Sequence, residues 1–131
     1  MSTFRASFEL AVEPAVGRHA RRILAELLAA WRFEPARRPD VMVLVTEIVA
    51  NAVDHGGHQA GGDTVLALDI TASEGWLVVG LADGSTIRPI VRELDTSAPR
   101  GRGMQLVTAI ADRWGSHEHH GGKRVWFELH A

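Results

Sequence analysis

The hydrophobic and polar positions of this chain change period along its length, from two to about 3.6 and back, which separates strands from helices. Residues 3–12 alternate around Phe4, Ala6, Phe8, Leu10 and Val12, the pattern of a half-buried strand, and Glu13-Pro14 stops it. Over residues 15–31 the apolar positions Val16, Ala20, Ile23, Leu24, Leu27, Leu28 and Trp31 come at helical spacing, with Arg18, Arg21, Arg22 and Glu26 on the opposite side. Pro35 and Pro39 bracket a connection. Asp40 then has the character of an N-cap for a second helix running to His55, with Gly56 as its stop. Its VMVLVTEIV run is β-branched enough for a buried strand. Length decides for the helix, and Val41, Leu44, Val45, Ile48, Val49 and Ala52 keep helical spacing.

After a glycine-rich turn over residues 56–62, residues 64–71 and 76–82 read as two strands joined at Glu74-Gly75. Residues 83–100 are polar, hold Pro89 and Pro99, and form too long an irregular stretch for a plain turn, so a functional loop is expected there. Helical spacing resumes over residues 101–114 through Met104, Leu106, Val107 and Ile110. A short strand over 116–119 and a strong one over 124–129 close the chain.

Composition narrows the class. With 131 residues, 46% hydrophobic and 23% charged, the chain has the makings of one globular domain over residues 1–131. The 14 basic and 16 acidic side chains leave a formal charge of −2, which argues against a direct nucleic-acid binder. Cysteine is absent, which excludes a disulfide framework, a thiolate metal site and a cysteine nucleophile. No signal-like segment opens the chain and no run approaches the roughly 18 apolar residues of a membrane span. A cytoplasmic protein without membrane contact is the expectation. Lys123 is the single lysine among the 14 basic residues, and the arginine excess reads as a compositional bias.

Four constellations could carry chemistry. Glu47, Asn51 and Asp54 share one arc of the second helix, away from its apolar face, where a carboxylate and a carboxamide one turn apart suit a hard cation or a base beside a metal ligand. A solvated helix face is the plain alternative. Asp83-Gly84-Ser85 places an acid where a strand ends and a turn begins, an address for ligand contacts or an ordinary turn. Arg100-Gly101-Arg102-Gly103 opens a helix, so backbone N–H groups could meet an anion, or the glycines could serve as a hinge. His117 and His119 share a strand face and could bind a transition metal, but no third ligand has motif-like spacing and a charged strand end explains them as well.

The order of the first three constellations resembles the ATP-binding domain of the GHKL superfamily, which includes gyrase, the heat-shock chaperone, the histidine kinases and the mismatch-repair ATPases. Within it the chain is most similar to the small bacterial anti-sigma factor serine kinases. Residues 46–56, Thr-Glu-Ile-Val-Ala-Asn-Ala-Val-Asp-His-Gly, look like their N box. Asp83-Gly84-Ser85 with Pro89 resembles the first glycine box, although Ser85 and Thr86 replace its usual glycine pattern. Residues 101–107 resemble the second glycine box, and residues 121–129 the last strand.

The resemblance implies a two-layer α/β (α+β) sandwich of the Bergerat type, with a mixed, mostly antiparallel sheet covered on one face by helices. It implies ATP and Mg²⁺ as cofactors, Asn51 as the Mg²⁺ ligand and Glu47 as the base that orients an attacking hydroxyl. Asp83 would accept a hydrogen bond from the adenine amino group. His55 would line the nucleotide pocket, Gly101 and Gly103 would cradle the phosphates with Arg100 and Arg102 beside them, and residues 84–100 would form a lid. The family's last strand usually carries a threonine near the adenine, where Arg124 stands here. The implied activity is phosphorylation of a serine on a STAS-type anti-anti-sigma protein and sequestration of a sigma factor, with Arg18 and Arg21 on the partner surface and a homodimer as the family's assembly. The alternative is a nucleotide-responsive regulator that holds a partner without transferring phosphate. A histidine-kinase catalytic domain is disfavoured, because no phospho-acceptor helix is found in the chain.

Overall fold

The computed structural model describes residues 2–54, 65–83, 103–119 and 122–131. The order of elements is β1 (Phe4–Ala11), α1 (Val16–Ala30), α2 (Arg38–Ala52), β2 (Val65–Ser73), β3 (Trp76–Asp83), α3 (Gly103–Ile110), β4 (Arg113–His119) and β5 (Gly122–His130), with one 3₁₀ turn, Pro35–Arg37, before α2. The strands form a sheet in the order β1-β2-β3-β5-β4. Each of its pairings is antiparallel, so the mixed sheet expected from the sequence is antiparallel throughout the described residues.

Period-two alternation sets which side of each strand faces the core. Leu66, Leu68, Ile70 and Ala72 of β2, Leu77, Val79 and Leu81 of β3, and Val125, Phe127 and Leu129 of β5 are buried on one face. The helices cover that face with Val16, Ala20, Leu24 and Leu28 of α1, the apolar side of α2, and Met104 and Val107 of α3. The opposite face of the sheet has no helix over it among the described residues.

α2 is the centre of the helix layer, packing on α1, on α3, and on β3 and β5 beneath it. That position explains its strand-like composition: a helix with neighbours on three sides needs apolar residues around most of its circumference. It begins three residues earlier than expected, with Arg37 as N-cap and Pro39 inside the first turn, where a missing N–H costs nothing. Asp40 is therefore a first-turn acid rather than the cap, and its carboxylate pairs with Arg37 at 3.2 Å. The expected C-terminal stop at His55 and Gly56 lies outside the described residues.

α1 ends on a left-handed residue, Arg32 at φ 56°, in a position usually held by glycine. Phe33 N–H reaches back to Leu28 O at 3.0 Å and closes the helix, and the Phe33 ring is buried beyond it. The expected helix over residues 101–114 is shorter: α3 stops at Ile110 and Trp114 belongs to β4, opposite Phe127. The indole folds back on α3, its Nε1 donating to Thr108 Oγ1 at 2.9 Å, so Trp114 continues the apolar spacing of a helix it has already left. No described helix is long and apolar enough to cross a membrane.

Candidate nucleotide site

On α2 the helical repeat places Thr46 on one flank of the apolar side and Glu47 and Asn51 on the other. The Thr46 flank faces α1, because Arg21 Nη1 donates to Thr46 Oγ1 at 3.2 Å while that hydroxyl donates to Met42 O at 2.7 Å. Since α3 is the other helix packed on α2, Glu47 and Asn51 sit on the α3 side, beside the helix that Gly103 opens. Glu47 is half-buried, and burial raises its carboxyl pKa above the ordinary glutamate value. Asn51 Oδ1 is buried and has no hydrogen-bond partner among the described residues. A buried, unsatisfied carbonyl oxygen is costly in a closed protein and is the donor type that Mg²⁺ takes. The residues therefore fit an oxygen-loving cation held with a polyphosphate.

The sheet contributes the second part. Asp83 is the last inward-facing position of β3, one pleat beyond Leu81, and is only 6% exposed. Directly across the β3–β5 pairing stands Lys123, which is 1% exposed. On its other side Lys123 is opposite Glu118 of β4, which is exposed. One cross-strand row thus reads acid, lysine, acid, and both Asp83 and Lys123 are engaged in interactions.

The sequence singled out Arg124 and passed over Lys123, and the pleat reverses that choice. Arg124 is one residue out of phase with Val125 and Phe127, so it points to the uncovered face of the sheet. There it crosses over Gly80 to reach Asp69 on β2, with Nε to Oδ2 at 3.1 Å and Nη2 to Oδ1 at 2.6 Å. It stands in the sheet as a strap and not beside Asp83. Period-two phase counted from Phe127 would have identified Lys123, the single lysine of the chain.

Arg18 is exposed, while Arg21 is partly buried and committed to Thr46. Between the start of α1 and the last turns of α2 lies a groove of about 290 Å³ lined by Glu13, Val16, Gly17, Thr46, Ala50 and Val53. A larger cavity, about 490 Å³, lies under Phe4 and Trp31 by the Glu74-Gly75 turn. That turn is at the far end of β3 from Asp83, roughly 26 Å away along the strand at 3.3 Å per residue. It takes no part in the site. His55, Arg100, Gly101, Arg102 and the expected lid over residues 84–100 lie outside the described residues. Among the described residues no group of three or more His, Asp or Glu could hold a metal ion.

The fold is shared with solved structures. The RsbU and RsbW domains of a Mycobacterium tuberculosis protein match with a TM-score of 0.69 at 17% identity, over 97% of this chain and 32% of that one. This chain therefore spans about a third of that protein's structure. A chain in the SiaB–SiaC complex from Pseudomonas aeruginosa matches with a TM-score of 0.66 at 13% identity, over 95% of this chain and 88% of that one. At these identities the likeness is one of fold. No curated protein sequence matches. Residues 10–129 match the model of the histidine kinase-like ATPase domain, nearly the full length of the chain, and with the antiparallel sheet under a helix layer this places the chain in the histidine kinase-like ATPase family.

Proposed function

We propose that this chain is a Mg-ATP-dependent serine kinase of the anti-sigma factor type, which phosphorylates a small STAS-type anti-anti-sigma protein and holds a sigma factor once that antagonist is phosphorylated. One observation carries the reading. One turn apart on α2 stand a carboxyl whose pKa burial raises and a carboxamide oxygen buried without a partner among the described residues.

Bound Mg-ATP supplies the phosphoryl group and the positive charge that offsets its oxygens. Asn51 is the oxygen ligand of the ion. Glu47 accepts the proton that an incoming serine hydroxyl gives up, and its raised pKa brings it nearer to the working pH of a general base. Asp83 accepts from the adenine amino group. Gly103, at the opening of α3, lies where backbone N–H groups and the helix dipole favour phosphate. By the family resemblance Gly101, with Arg100 and Arg102, serves the phosphates as well, and His55 serves the nucleotide pocket. The groove between α1 and α2, together with the exposed Arg18 on α1, is the partner surface. Arg21 supports it through Thr46 rather than reaching out. That a similar chain was solved in the SiaB–SiaC complex supports a separate protein as partner.

The test is to incubate the chain with Mg-ATP and a STAS-type antagonist and to look for phosphoserine by mass spectrometry. The wild type transfers phosphate, whereas Asn51→Ala and Glu47→Gln do not, and Glu47→Gln still binds the antagonist. If the wild type binds the antagonist in an ATP-dependent way yet leaves no phosphoserine, the chain is a nucleotide-responsive regulator and the kinase reading is wrong.

A further inference from the structure

The end of the fold away from Asp83 holds a cavity of about 490 Å³. α1 stops at Ala30, and the space beyond it is bounded by the turn after α1, the start of β1 and the β2–β3 hairpin. Phe4 is an inward position of β1, in phase with Leu10, and its cross-strand neighbour is the small Ala72. No large sheet side chain therefore fills the space beside its ring. Phe4 stacks instead on Trp31, with ring centroids 5.5 Å apart and planes within 14°. It still remains 40% exposed, the one aromatic among the exposed large hydrophobic side chains of the described residues. Phe33 adds a third ring to the lining.

The charge around these rings is mostly negative. Glu34 and Glu74 both line the cavity. One Glu34 oxygen accepts from the Ala36 N–H at 3.2 Å, which anchors that carboxylate beside the rings. α1 also directs the negative end of its dipole here, with no basic residue in its last turn. Arg32 is the single basic residue of the lining, and it is exposed. The nearby Arg38 is committed to Phe33 O, at 2.9 and 3.1 Å.

We propose that this cavity is a second binding site, for a small organic molecule that carries a planar amidinium or guanidinium group on an apolar body. Aromatic faces attract cations, and a planar cation can lie flat on a ring while its N–H groups donate sideways to carboxylates. Two carboxylates and a helix C-terminus disfavour phosphate, so the cavity is no second nucleotide site. Its volume lies within the range of small-molecule sites, and its lining has their character, mostly apolar with a few fixed polar groups. None of its residues belongs to the nucleotide site or to the α1–α2 groove.

The test is a set of titrations of the full chain without nucleotide, followed by ¹H–¹⁵N NMR at the Trp31 indole N–H, which is assigned by its loss in Trp31→Phe. The probes are benzamidine, its neutral analogue benzamide and its anionic analogue benzoate. Benzamidine should shift the Trp31 signal saturably, with Kd of about 1 mM or below. Benzamide and benzoate should bind at least about tenfold more weakly. The double variant Glu34→Gln/Glu74→Gln, whose side chains are exposed, should weaken benzamidine about tenfold and leave benzamide unchanged. Phe4→Ala should weaken both. N-acetylarginine amide, which has the cation without the aromatic body, should bind more weakly than benzamidine. The proposal is overturned if benzamidine gives no saturable shift by about 10 mM. It is equally overturned if benzamide or benzoate binds as tightly as benzamidine, or if the double variant keeps full benzamidine affinity. Tighter binding of N-acetylarginine amide would also overturn it, because the occupant would then be an arginine side chain of another protein. The nucleotide-free titrations keep these outcomes separate from any failure of the kinase reading.

Discussion

Replacing Gly80 by alanine probes the reassignment of Arg124 from the nucleotide to the back of the sheet. A methyl group on Gly80 would overlap the Arg124 guanidinium, lying 2.5 Å from Nε, where that side chain crosses to Asp69. The guanidinium is the flexible end of the residue and can move aside, so the cost of the substitution is the cost of giving up the pair with Asp69. That pair is side-on, charge-assisted and partly buried, with Arg124 18% and Asp69 39% exposed. A bidentate contact of this kind contributes about 1–2 kcal/mol after solvent screening at Asp69. Alanine returns roughly 0.5 kcal/mol by restricting the unfolded chain. Gly80→Ala should therefore destabilise the fold by about 0.5–1.5 kcal/mol, measured by urea unfolding. In an Arg124→Ala background the overlap is gone, and the same substitution should be neutral or stabilising by about 0.5 kcal/mol. The coupling between the two positions is thus about 1–2 kcal/mol. If Gly80→Ala costs the same in both backgrounds, Arg124 does not strap the sheet. Arg124→Ala should also leave ATP affinity unchanged, because its side chain is on the face without helices; a loss of affinity would return it to the nucleotide.

Other consequences concern single side chains. Burial raises the Glu47 pKa in the folded state, so the native protein binds more protons than the unfolded chain between the two pKa values and loses stability as pH rises through that window. Glu47→Gln should accordingly be more stable than the wild type at pH 7, with the advantage fading below about pH 4; an equal difference at both pH values in denaturant unfolding contradicts burial as the cause. Phosphotransfer should fail in acid at a higher pH than an ordinary glutamate base would give. Arg32 sits at φ 56°, which glycine adopts freely, so Arg32→Gly should stabilise the fold by about 0.5–1 kcal/mol in thermal or urea unfolding. No gain there would mean that α1 ends differently.

Much of the fold was legible because period and punctuation agreed. β1 and α1 alternate and repeat cleanly, and the Glu74-Gly75 hairpin is marked by a glycine that adopts φ 84°. α2 was legible only through its length, since its central place in the layer gives it the residues of a buried strand. The boundaries were misread where tertiary contacts override local signals: Pro39 is admitted into the first turn of α2, and Trp114 packs back on α3 from β4. At the site, Glu47 and Asn51 were visible as an arc of polar residues on a helix. Asp83 was visible as an acid at a strand end. Lys123 was hidden because a lysine in a glycine-rich strand start reads as a solvated charge, and burial depends on a register that local pattern does not supply. A shift of one residue on a pleated strand decided between Lys123 in the interior and Arg124 across the back.

The central claim is that the α2–α3 side of this fold holds Mg-ATP through Asn51, and isothermal titration calorimetry tests it most directly. ATP should bind saturably below millimolar concentration in a way that needs Mg²⁺, weakens strongly in Asn51→Ala and persists in Arg124→Ala. An absence of binding at millimolar Mg-ATP, or binding that Asn51→Ala leaves unchanged, would contradict it.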